Sequence, residues 1–409
     1  MKKTLLFLAA IAASLHAQAQ AIDGSWKGSL QVGPQKLTLV LHVTQQEKKV
    51  TLDVVEQGAN GLPMTVKWLT DDSLSVAIPQ LALGYEGKVS GNTINGTFSQ
   101  QTFSAPLAFS KGDVTYNRPQ EPKPPYPYAT EEVSFTDKGA GATLAGTLTF
   151  PADYKAGSKP PVVLMVTGSG PQNRDEEMMH HKPFLVIADF LARHGIASLR
   201  YDDRGTAKST GDYSTATTKD FAADAQAGLD FLRGTGKFSK VGILGHSEGG
   251  LIAYMLGGKA DFIVSLAGPA CKIDTMLMVQ LNGLAHAQGS PTDIVKSVAE
   301  TRQVFARDNT PWTKAFIDID ATPYVKATRC PVLALAGSKD LNVPVSINNP
   351  SLEANLPKGK HNTVKVYDGL NHFFQHATTG NPLEAANIEE TIAPEVLKDI
   401  ADWINGLSK

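Results

Sequence analysis

The amino-acid sequence predicts a small all-β domain followed by a larger α/β domain, whose mostly parallel sheet is covered by helices on both faces. Three observations predict this architecture. Short alternating apolar runs fill the chain up to about residue 115, strand and helix patterns alternate after residue 131, and five prolines lie between residues 118 and 128. The 409 residues are enough for two or three domains of about 150 residues each.

The composition indicates a globular protein and argues against nucleic acid as a partner. Apolar residues make up 42% of the chain and charged residues 19%, which supplies a core and is too little charge for intrinsic disorder. The formal net charge is -2, and the basic residues are scattered along the chain. Because a phosphate backbone is bound by clustered basic residues, we expect no nucleic-acid partner.

Residues 1–19 have the three parts of a secretory signal peptide. Lysines occupy positions 2 and 3, an apolar run extends from 5 to 15, and small residues precede the expected cleavage after Ala19. The apolar run is well short of the roughly 20 residues that a membrane-spanning helix needs. We therefore expect an exported protein, periplasmic or secreted, with no membrane span.

Residues 20–115 are predicted to form an antiparallel β-domain, either a small barrel or a sandwich. Alternating apolar and polar residues, separated by glycine and polar turns, are typical of strands at 37–43, 50–55 and 73–78. The segment GSWKG at 24–28 resembles the first strand of lipocalin-like barrels. Trp26 is expected to fill the core of this domain rather than to contact a ligand.

Residues 116–130 are predicted to be a linker, and residues 131–409 the α/β domain. Proline fixes φ and has no N–H group, so the linker should run as a semi-rigid extended segment outside any sheet. Strands are expected in the α/β domain at 132–136, 144–150, 161–166, 196–201, 241–244, 261–266, 331–336 and 363–367. Helices are expected at 183–194, 219–233, 251–256 and 393–407.

An insertion at about 271–329 interrupts this alternation, and we expect it to form a cap over the sheet. Methionine and leucine side chains recur in it at helical spacing, at Met276, Leu277, Met278 and Leu281. These side chains either pack an ordinary helix or face a substrate, and the sequence leaves both interpretations open.

The two cysteines, Cys271 and Cys330, are expected to be buried thiols rather than a disulfide. Cys271 should follow the end of one strand and Cys330 should precede the start of its neighbour, so about 20 Å of strand separates them. A disulfide requires Cα atoms within about 7 Å of one another.

The sequence GHSEGG at 245–250 contains the G-x-S-x-G pattern after a predicted strand and before a predicted helix. A serine hydroxyl is a weak nucleophile. A tight strand-to-helix turn exposes it beside a helix N-terminus that favours developing negative charge. Ser247 is therefore the predicted nucleophile.

A serine nucleophile needs a base and an orienting acid, and both follow in the chain order Ser, Asp, His. Asp340 and His372 each come just after a predicted parallel strand, so both should lie at the same sheet edge as Ser247. His372 would accept the serine proton and Asp340 would fix the imidazole tautomer. His246 is the nearest rival base, but a side chain next to the elbow serine points away from it.

A tetrahedral intermediate needs two preset N–H donors, each worth about 3 kcal/mol of barrier. The predicted donors are the backbone N–H groups of Glu248 and of Ser169, which lies in the loop after the strand at 161–166. The Glu248 side chain is expected to be solvated at the surface. The charged residues at 174–175 and 202–204 are expected to form ion pairs that shape the loops beside the site.

Five motifs in order make residues 131–409 resemble an α/β-hydrolase, and more narrowly the bacterial EstD-like serine carboxylesterases. They are GSGPQNRD at 168–175, RYDDRG at 200–205, GHSEGG at 245–250, Asp340 with VP at 343–344, and NHFFQ at 371–375. The resemblance implies a nucleophile at Ser247, an acid at Asp340, a base at His372, and hydrolysis of small acyl esters without metal or cofactor. Ala207 departs from the glycine that related sequences usually keep. The resemblance covers about two thirds of the chain and leaves out the lipocalin-like β-domain.

A serine carboxylesterase acting on small or medium acyl esters is the leading hypothesis, with acylated glycans and hydroxycinnamoyl esters open as natural substrates. A serine peptidase or amidase of the prolyl-oligopeptidase type is one alternative, although about 90 residues are too few for a propeller of at least four blades. A non-catalytic binding protein on a hydrolase fold is an alternative of another class. The sequence leaves open what the β-domain binds and whether the chain forms a homo-oligomer.

Overall fold

A computed structural model of the protein describes residues 22–33, 35–57 and 59–407. The chain divides into two compact units, Met1–Thr115 and Tyr116–Lys409. The predicted signal peptide at 1–19 lies outside the described residues.

The first unit is a closed antiparallel barrel of eight strands. In chain order the strands are β1 (Gly24–Val32), β2 (Gln35–Thr44), β3 (Lys49–Val54), β4 (Ala59–Leu69), β5 (Ser73–Ile78), β6 (Leu83–Ser90), β7 (Thr93–Gln100) and β8 (Phe103–Lys111). Each strand pairs with the next along the chain, and β1 pairs with β8 to close the barrel. Of the two architectures that the sequence predicts for this domain, a barrel and a sandwich, the structure has the barrel.

Side chains fill the interior of the barrel, because alternate residues of each strand point inward. Trp26 of β1 is fully buried, and its indole N–H donates to the carbonyl of Ile22 at 2.6 Å. The buried hydroxyl of Tyr85 donates to the carbonyl of Leu107 at 3.1 Å. Trp26 is therefore a core residue, as the sequence predicts.

The second unit is built on an eight-stranded sheet. Its strands are β9 (Thr130–Asp137), β10 (Ala142–Thr149), β11 (Val162–Val166), β12 (Ala197–Tyr201), β13 (Val241–His246), β14 (Ile263–Leu266), β15 (Val332–Gly337) and β16 (Thr363–Tyr367). Across the sheet their order is β16-β15-β14-β13-β11-β12-β10-β9. Strand β10 is antiparallel to both of its neighbours, and every pair without β10 is parallel.

Helices cover both faces of this sheet. They are α1 (Pro183–Arg193), α2 (Thr218–Gly234), α3 (Glu248–Met255), α4 (Ile273–Ala287), α5 (Val298–Phe305), α6 (Pro311–Ile317), α7 (Thr322–Ala327), α8 (Val345–Asn355) and α9 (Pro394–Gly406). Strand order and helix placement are those of the α/β-hydrolase fold, as predicted.

Two apolar layers hold the helices on the sheet. Within β11, Leu164 packs into the layer that contains α2 and α3, whereas Val163 and Met165 pack into the layer that contains α1 and α9. A strand buried on both faces needs apolar residues at every position, which explains the continuous apolar run of β11. The central strands are thereby fixed in the interior, and their carboxyl ends become rigid supports for loops.

Helices α4 to α7 lie between β14 and β15, within the insertion that the sequence places at about 271–329. Apolar side chains of this segment pack with Leu251 of α3 and with Val343, in a cluster that includes Ile273, Met276, Leu277, Phe316 and Ile317. Because this cluster joins the insertion to α3, the inserted helices have a fixed position next to the elbow at 245–250.

The proline-rich segment packs against the second unit. The guanidinium of Arg118 donates to the carbonyls of Ala386 and Ile388 at 2.6 and 2.9 Å. The side chain of Gln120 donates to the carbonyl of Ile392 at 2.7 Å. These bonds anchor the segment along the surface of the α/β unit.

Both cysteines are free thiols, as predicted. Cys271 is buried, but Cys330 is partly exposed, which corrects the expectation that both are buried. Desolvation raises the pKa of each thiol to about 11, so both are protonated at neutral pH.

Candidate active site

Ser247 lies in the tight turn between β13 and α3. Its φ of 53° and ψ of -119° are a strained conformation for a residue with a side chain. The flanking glycines are sterically required. A Cβ on Gly245 would lie 2.0 Å from the carbonyl oxygen of Gly249. A Cβ on Gly249 would lie 2.1 Å from the carbonyl oxygen of Val166. The local sequence therefore folds into a nucleophile elbow.

Asp340 and His372 lie together on neighbouring loops after β15 and β16. His372 Nδ1 donates to Asp340 Oδ2 at 2.8 Å, and both side chains are buried. Asp340 Oδ1 in turn accepts the backbone N–H groups of Asn342 and Val343, each at 2.8 Å. The carboxylate is thus held by its own loop, and it fixes which imidazole nitrogen carries the proton.

Ser247 and His372 line the same cavity. Within the described residues, the Ser247 hydroxyl makes no hydrogen bond to the imidazole. The Nδ1 atom of His372 is committed to Asp340, so Nε2 is the nitrogen left for the serine proton. Hydrogen bonds of this kind are often long before substrate binds and shorten in the complex.

The two predicted oxyanion donors belong to the elbow itself and to the loop after β11. Ser169 lines the cavity, and Glu248 is the first residue of α3. Neither backbone N–H has a hydrogen-bond partner elsewhere in the described parts of the chain. Both groups are free to donate to a ligand, and the first turn of a helix favours negative charge.

Buried carboxyl groups hold the loop that carries Ser169. The hydroxyl of Thr167 donates to Asp203 at 2.8 Å, and the backbone N–H of Gly168 donates to Glu176 at 2.7 Å. Burial raises the pKa of Asp203 to about 8, and the nearby Glu176 and Glu248 add to the effect. The side chains of Asp203 and Glu176 therefore hold in place the loop that carries Ser169.

The side chain of Glu248 is buried, which corrects the expectation that it is solvated. Its carboxyl group accepts the hydroxyl of Thr218 at 2.6 Å and the indole N–H of Trp312 at 3.0 and 3.1 Å. Desolvation raises its pKa above the usual value, although these donors lower it. Glu248 thus connects the elbow to α6 of the insertion.

His246 does not compete with His372 as the base, because both of its ring nitrogens are occupied. Nδ1 lies 2.9 Å from Glu176 Oε1, and Nε2 donates to the backbone carbonyl of His372 at 3.0 Å. Burial opposes protonation of this ring, yet the Glu176 carboxylate outweighs it and raises the pKa of His246. Glu176 therefore ties the Ser169 loop, through His246, to the loop of the proposed base.

The charged motifs form ion pairs beside the site, as predicted from sequence, but with additional partners. Arg174 pairs with Asp202 and with Glu132, each at 2.8 Å, and Arg200 pairs with Asp175. Arg204, by contrast, is directed away from this group and pairs with other buried acids, Asp224 and Asp137. These contacts join the loops on the side of the sheet next to Ser169.

The cavity that Ser247 and His372 line has a volume of about 270 Å³. Its walls are mainly apolar and are lined by Met178, Pro269, Met276, Leu277, Phe305, Trp312, Phe316, Val343 and Phe373, together with the polar residues Gln280 and Asn342. Met276 and Leu277 both line this cavity and belong to the packed cluster of the insertion. These two side chains therefore both pack within the insertion and face the cavity, where a substrate would bind.

Sequence reasoning missed Glu176, Trp312 and Asn342. Glu176 immediately follows the motif at 168–175, and Asn342 lies between Asp340 and the VP pair at 343–344. The position of each residue, next to or within a motif expected near the site, was a usable signal for a role there. Trp312 offered only a weaker signal, an aromatic residue with a polar N–H in a predicted cap.

Among the residues that the structure describes, no helix is long and apolar enough to cross a membrane. Across the same ranges, no group of three or more histidine, cysteine, aspartate or glutamate side chains has a metal-binding arrangement.

Comparison with known proteins gives matches among hydrolases. Residues 178–312 match the family described as serine aminopeptidase, S33. Esterase EstD of Thermotoga maritima is 27% identical over 293 residues, which cover 68% of this chain and 68% of that protein.

Two solved structures are more distant. The Pyrococcus furiosus esterase Pf2001 is 17% identical with a TM-score of 0.47, and it covers 72% of this chain and 98% of its own. Est1E of Butyrivibrio proteoclasticus with ferulic acid bound is 15% identical with a TM-score of 0.45. The match covers 68% of this chain and 97% of that one. The sequence matches support a hydrolase related to esterases, and the strand order independently gives the fold.

Proposed function

We propose that this protein is an exported serine carboxylesterase that cleaves small or medium acyl esters through an acyl-enzyme on Ser247. One observation carries the proposal: the strained elbow serine and His372, which is hydrogen-bonded to Asp340, line the same mainly apolar cavity. The sequence match to an esterase supports the same reaction class. Export rests on the signal-like sequence at 1–19.

In the proposed reaction, His372 Nε2 takes the proton of Ser247 as the serine oxygen attacks the ester carbonyl carbon. The carbonyl π bond breaks, and its electron pair moves to an oxyanion that the N–H groups of Ser169 and Glu248 stabilise. Collapse of this intermediate expels the alcohol, which takes the proton from His372 and leaves an acyl group on Ser247. Water, activated by the same imidazole, then releases the acid.

Ser247→Ala tests this proposal. We expect kcat/KM for p-nitrophenyl acetate and p-nitrophenyl butyrate to fall by at least about 10³-fold, because the attacking oxygen is lost. Labelling by a fluorophosphonate probe should disappear as well. The matched control is Ser198→Ala, since Ser198 is buried in β12 and its hydroxyl has no hydrogen-bond partner in the described chain. Undiminished ester turnover in Ser247→Ala contradicts the proposal.

The aminopeptidase name of the matched family gives a second candidate, which the cavity does not favour. A carboxylate is the strongest hydrogen-bond partner for the ammonium group of a peptide N-terminus. None of the described residues that line the cavity is an aspartate or a glutamate. A higher kcat/KM for an aminoacyl p-nitroanilide than for p-nitrophenyl acetate and p-nitrophenyl butyrate would favour the aminopeptidase over the esterase.

A further inference from the structure

Met178, which lines the cavity of the candidate active site, is the first residue of a strained turn. Met178 and His181 exchange backbone hydrogen bonds at 3.1 and 2.9 Å, which closes a tight turn between them. The two central residues, Met179 and His180, have φ values of 50° and 61°. Positive φ at both central positions is typical of a type I′ turn, which glycine and asparagine normally form. Because both residues carry a Cβ atom, the turn needs support from the rest of the structure.

The same segment also supports the loop that carries Ser169. Glu176, two residues before the turn, is buried and has a φ of 51°. Its Oε1 atom accepts the backbone N–H of Gly168 at 2.7 Å and lies 2.9 Å from His246 Nδ1. Residues 176–181 therefore set both a part of the cavity wall and the position of a proposed oxyanion donor.

The guanidinium of Arg118 binds the carbonyl groups of the two central residues of the turn. Its Nε atom donates to the carbonyl of His180 at 2.9 Å, and Nη2 donates to the carbonyl of Met179 at 3.4 Å. Next to these bonds, the ring of Tyr116 stacks on the imidazole of His180, with centroids 4.1 Å apart. Hydrogen bonds from a charged donor are among the stronger ones in proteins, so Arg118 favours the strained conformation over alternatives.

The same guanidinium also joins the turn to a segment that reaches the loop of the proposed base. Its Nη1 and Nη2 atoms donate to the carbonyls of Ile388 and Ala386 at 2.9 and 2.6 Å. Gln375, on the loop after β16, donates from its side chain to the carbonyl of Glu390 at 2.9 Å. Arg118 thus connects the turn with the segment at 386–390, which is itself bonded to the loop at 371–375.

The arrangement requires an arginine rather than any cation. A guanidinium is planar and has N–H donors directed to several sides, whereas the ammonium of lysine is a compact point charge. The acceptors on both segments are neutral carbonyl groups. The shape of the donor therefore matters more here than its charge.

We propose that Arg118 is a positioning residue of the site: it stabilises the turn at 178–181 and thereby holds Met178 in the cavity wall and Glu176 at its bond to the Ser169 loop. The inference rests on the proposed esterase function. It gives the start of the proline-rich segment a part in catalysis, although the sequence predicts only a linker there.

Arg118→Ala and Arg118→Lys test the proposal. We expect kcat per active site for p-nitrophenyl butyrate to fall about tenfold in both variants, because a small displacement of the groups around the reacting serine is costly. Lysine keeps the charge and cannot bind both segments, and it provides the same readout should the alanine variant fail to fold. Stoichiometric labelling with a fluorophosphonate probe counts the active sites, so misfolded protein does not enter kcat.

The matched control is Arg329→Ala. The guanidinium of Arg329 likewise donates to backbone carbonyls, those of Lys326 and Thr328 at 2.7 and 3.0 Å, and Arg329 does not line the cavity. This variant should keep the kcat of the natural enzyme.

A double-mutant cycle with Glu176→Gln separates positioning from a merely structural role. Glu176→Gln removes the charge that holds Gly168 and His246, and we expect it to lower kcat about tenfold by itself. Because Arg118 acts through the same segment, adding Arg118→Ala should lower kcat by less than about threefold more. A residue that only stabilises the fold would change the free energy of unfolding and leave kcat per active site as it is.

Unchanged kcat per active site in both Arg118 variants overturns this inference and leaves the esterase function intact. A full tenfold loss from Arg118→Ala in the presence of Glu176→Gln also overturns it, since Arg118 then acts independently of residues 176–181. A natural protein that neither hydrolyses p-nitrophenyl butyrate nor reacts with the probe overturns the proposed function together with the inference.

Discussion

Asp203 is a buried carboxyl group whose two oxygens accept the Thr167 hydroxyl and the backbone N–H of Gln172. Its pKa of about 8 in the folded chain lies far above the value of about 3.9 in an unfolded chain. Between these values the folded protein holds a proton that the unfolded protein has lost. The contribution of Asp203 to folding stability is therefore full below about pH 4 and is lost as the pH rises toward 8.

Asp203→Asn should weaken this pH dependence, because an amide stays neutral and still offers an acceptor for Gln172 and a donor for Thr167. Between pH 5 and pH 8 we expect the variant to lose up to about 4 kcal/mol less unfolding free energy than the natural protein, since one pKa unit corresponds to about 1.4 kcal/mol. Urea unfolding at both pH values measures the difference. The exposed Asp402→Asn is the control, and identical pH dependence in all three proteins contradicts the assignment.

Ala207 has a strained backbone conformation. The sequence alone indicated only that this alanine departs from the pattern of the family it resembles. Its φ of 47° lies in the left-handed region, where glycine has no steric penalty. An alanine there costs about 1–2 kcal/mol. A glycine at this position would remove that cost, and the alanine affects the loop at 202–209 rather than Ser247, Asp340 or His372.

At the scale of elements, a polar contact from one side chain adds to the apolar packing that holds α6 beside the elbow. Trp312 donates to both oxygens of Glu248, stacks on Phe316 with ring centroids 4.7 Å apart, and lines the cavity. The backbone N–H of Glu248 is a proposed oxyanion donor. The insertion therefore does more than cover the site, because its position is coupled to the first turn of α3.

Trp312→Phe removes the indole N–H and keeps an aromatic ring that can stack on Phe316. We expect kcat/KM for p-nitrophenyl butyrate to fall about tenfold, because Glu248 loses a partner and the cavity wall loosens. The melting temperature should also fall, since the buried Oε2 of Glu248 loses this hydrogen bond. Steady-state kinetics and thermal unfolding give the two values. Trp403→Phe serves as the control, since Trp403 lies on α9 and bonds the His361 carbonyl outside the cavity. Equal kcat/KM values in Trp312→Phe and Trp403→Phe would contradict a coupling between the insertion and the first turn of α3.

At the scale of the whole molecule, each unit has a hydrophobic core of its own. The barrel core is centred on Trp26, whereas the α/β unit has separate apolar layers on the two faces of its sheet. Cores that share no residues can unfold independently. The chain should therefore respond to a core substitution in one unit without losing the other.

Trp26→Ala should destabilise the barrel by about 3–5 kcal/mol, the usual cost of removing a large buried aromatic side chain. In differential scanning calorimetry we expect one transition to move to lower temperature and the other to stay. Ester hydrolysis should persist above the first transition and disappear at the second. A single transition that shifts as a whole, with activity lost alongside, would show that the units unfold together.

The sequence was sufficient for most strands and several helices of the α/β unit. Strand β16 was predicted with its observed bounds, and the buried run of β11 and the terminal helix α9 were predicted to within a residue or so. Local patterns carry this information, because residue periodicity, proline and glycine act within a few positions. Helix α8 was missed, since it contains Pro350 and few apolar residues in a helical pattern.

Within the site, the sequence by itself determined which residue types could act and that their loops end at one edge of a parallel sheet. The three-dimensional structure decided the rest: the bond between His372 and Asp340, the burial of Glu248, the occupation of His246 by Glu176, and the unpartnered amide of Asn342. Which segments form strands and helices follows from short-range patterns. Which buried polar groups find partners depends on residues that lie tens to hundreds of positions apart, and only packing brings those residues within hydrogen-bond distance.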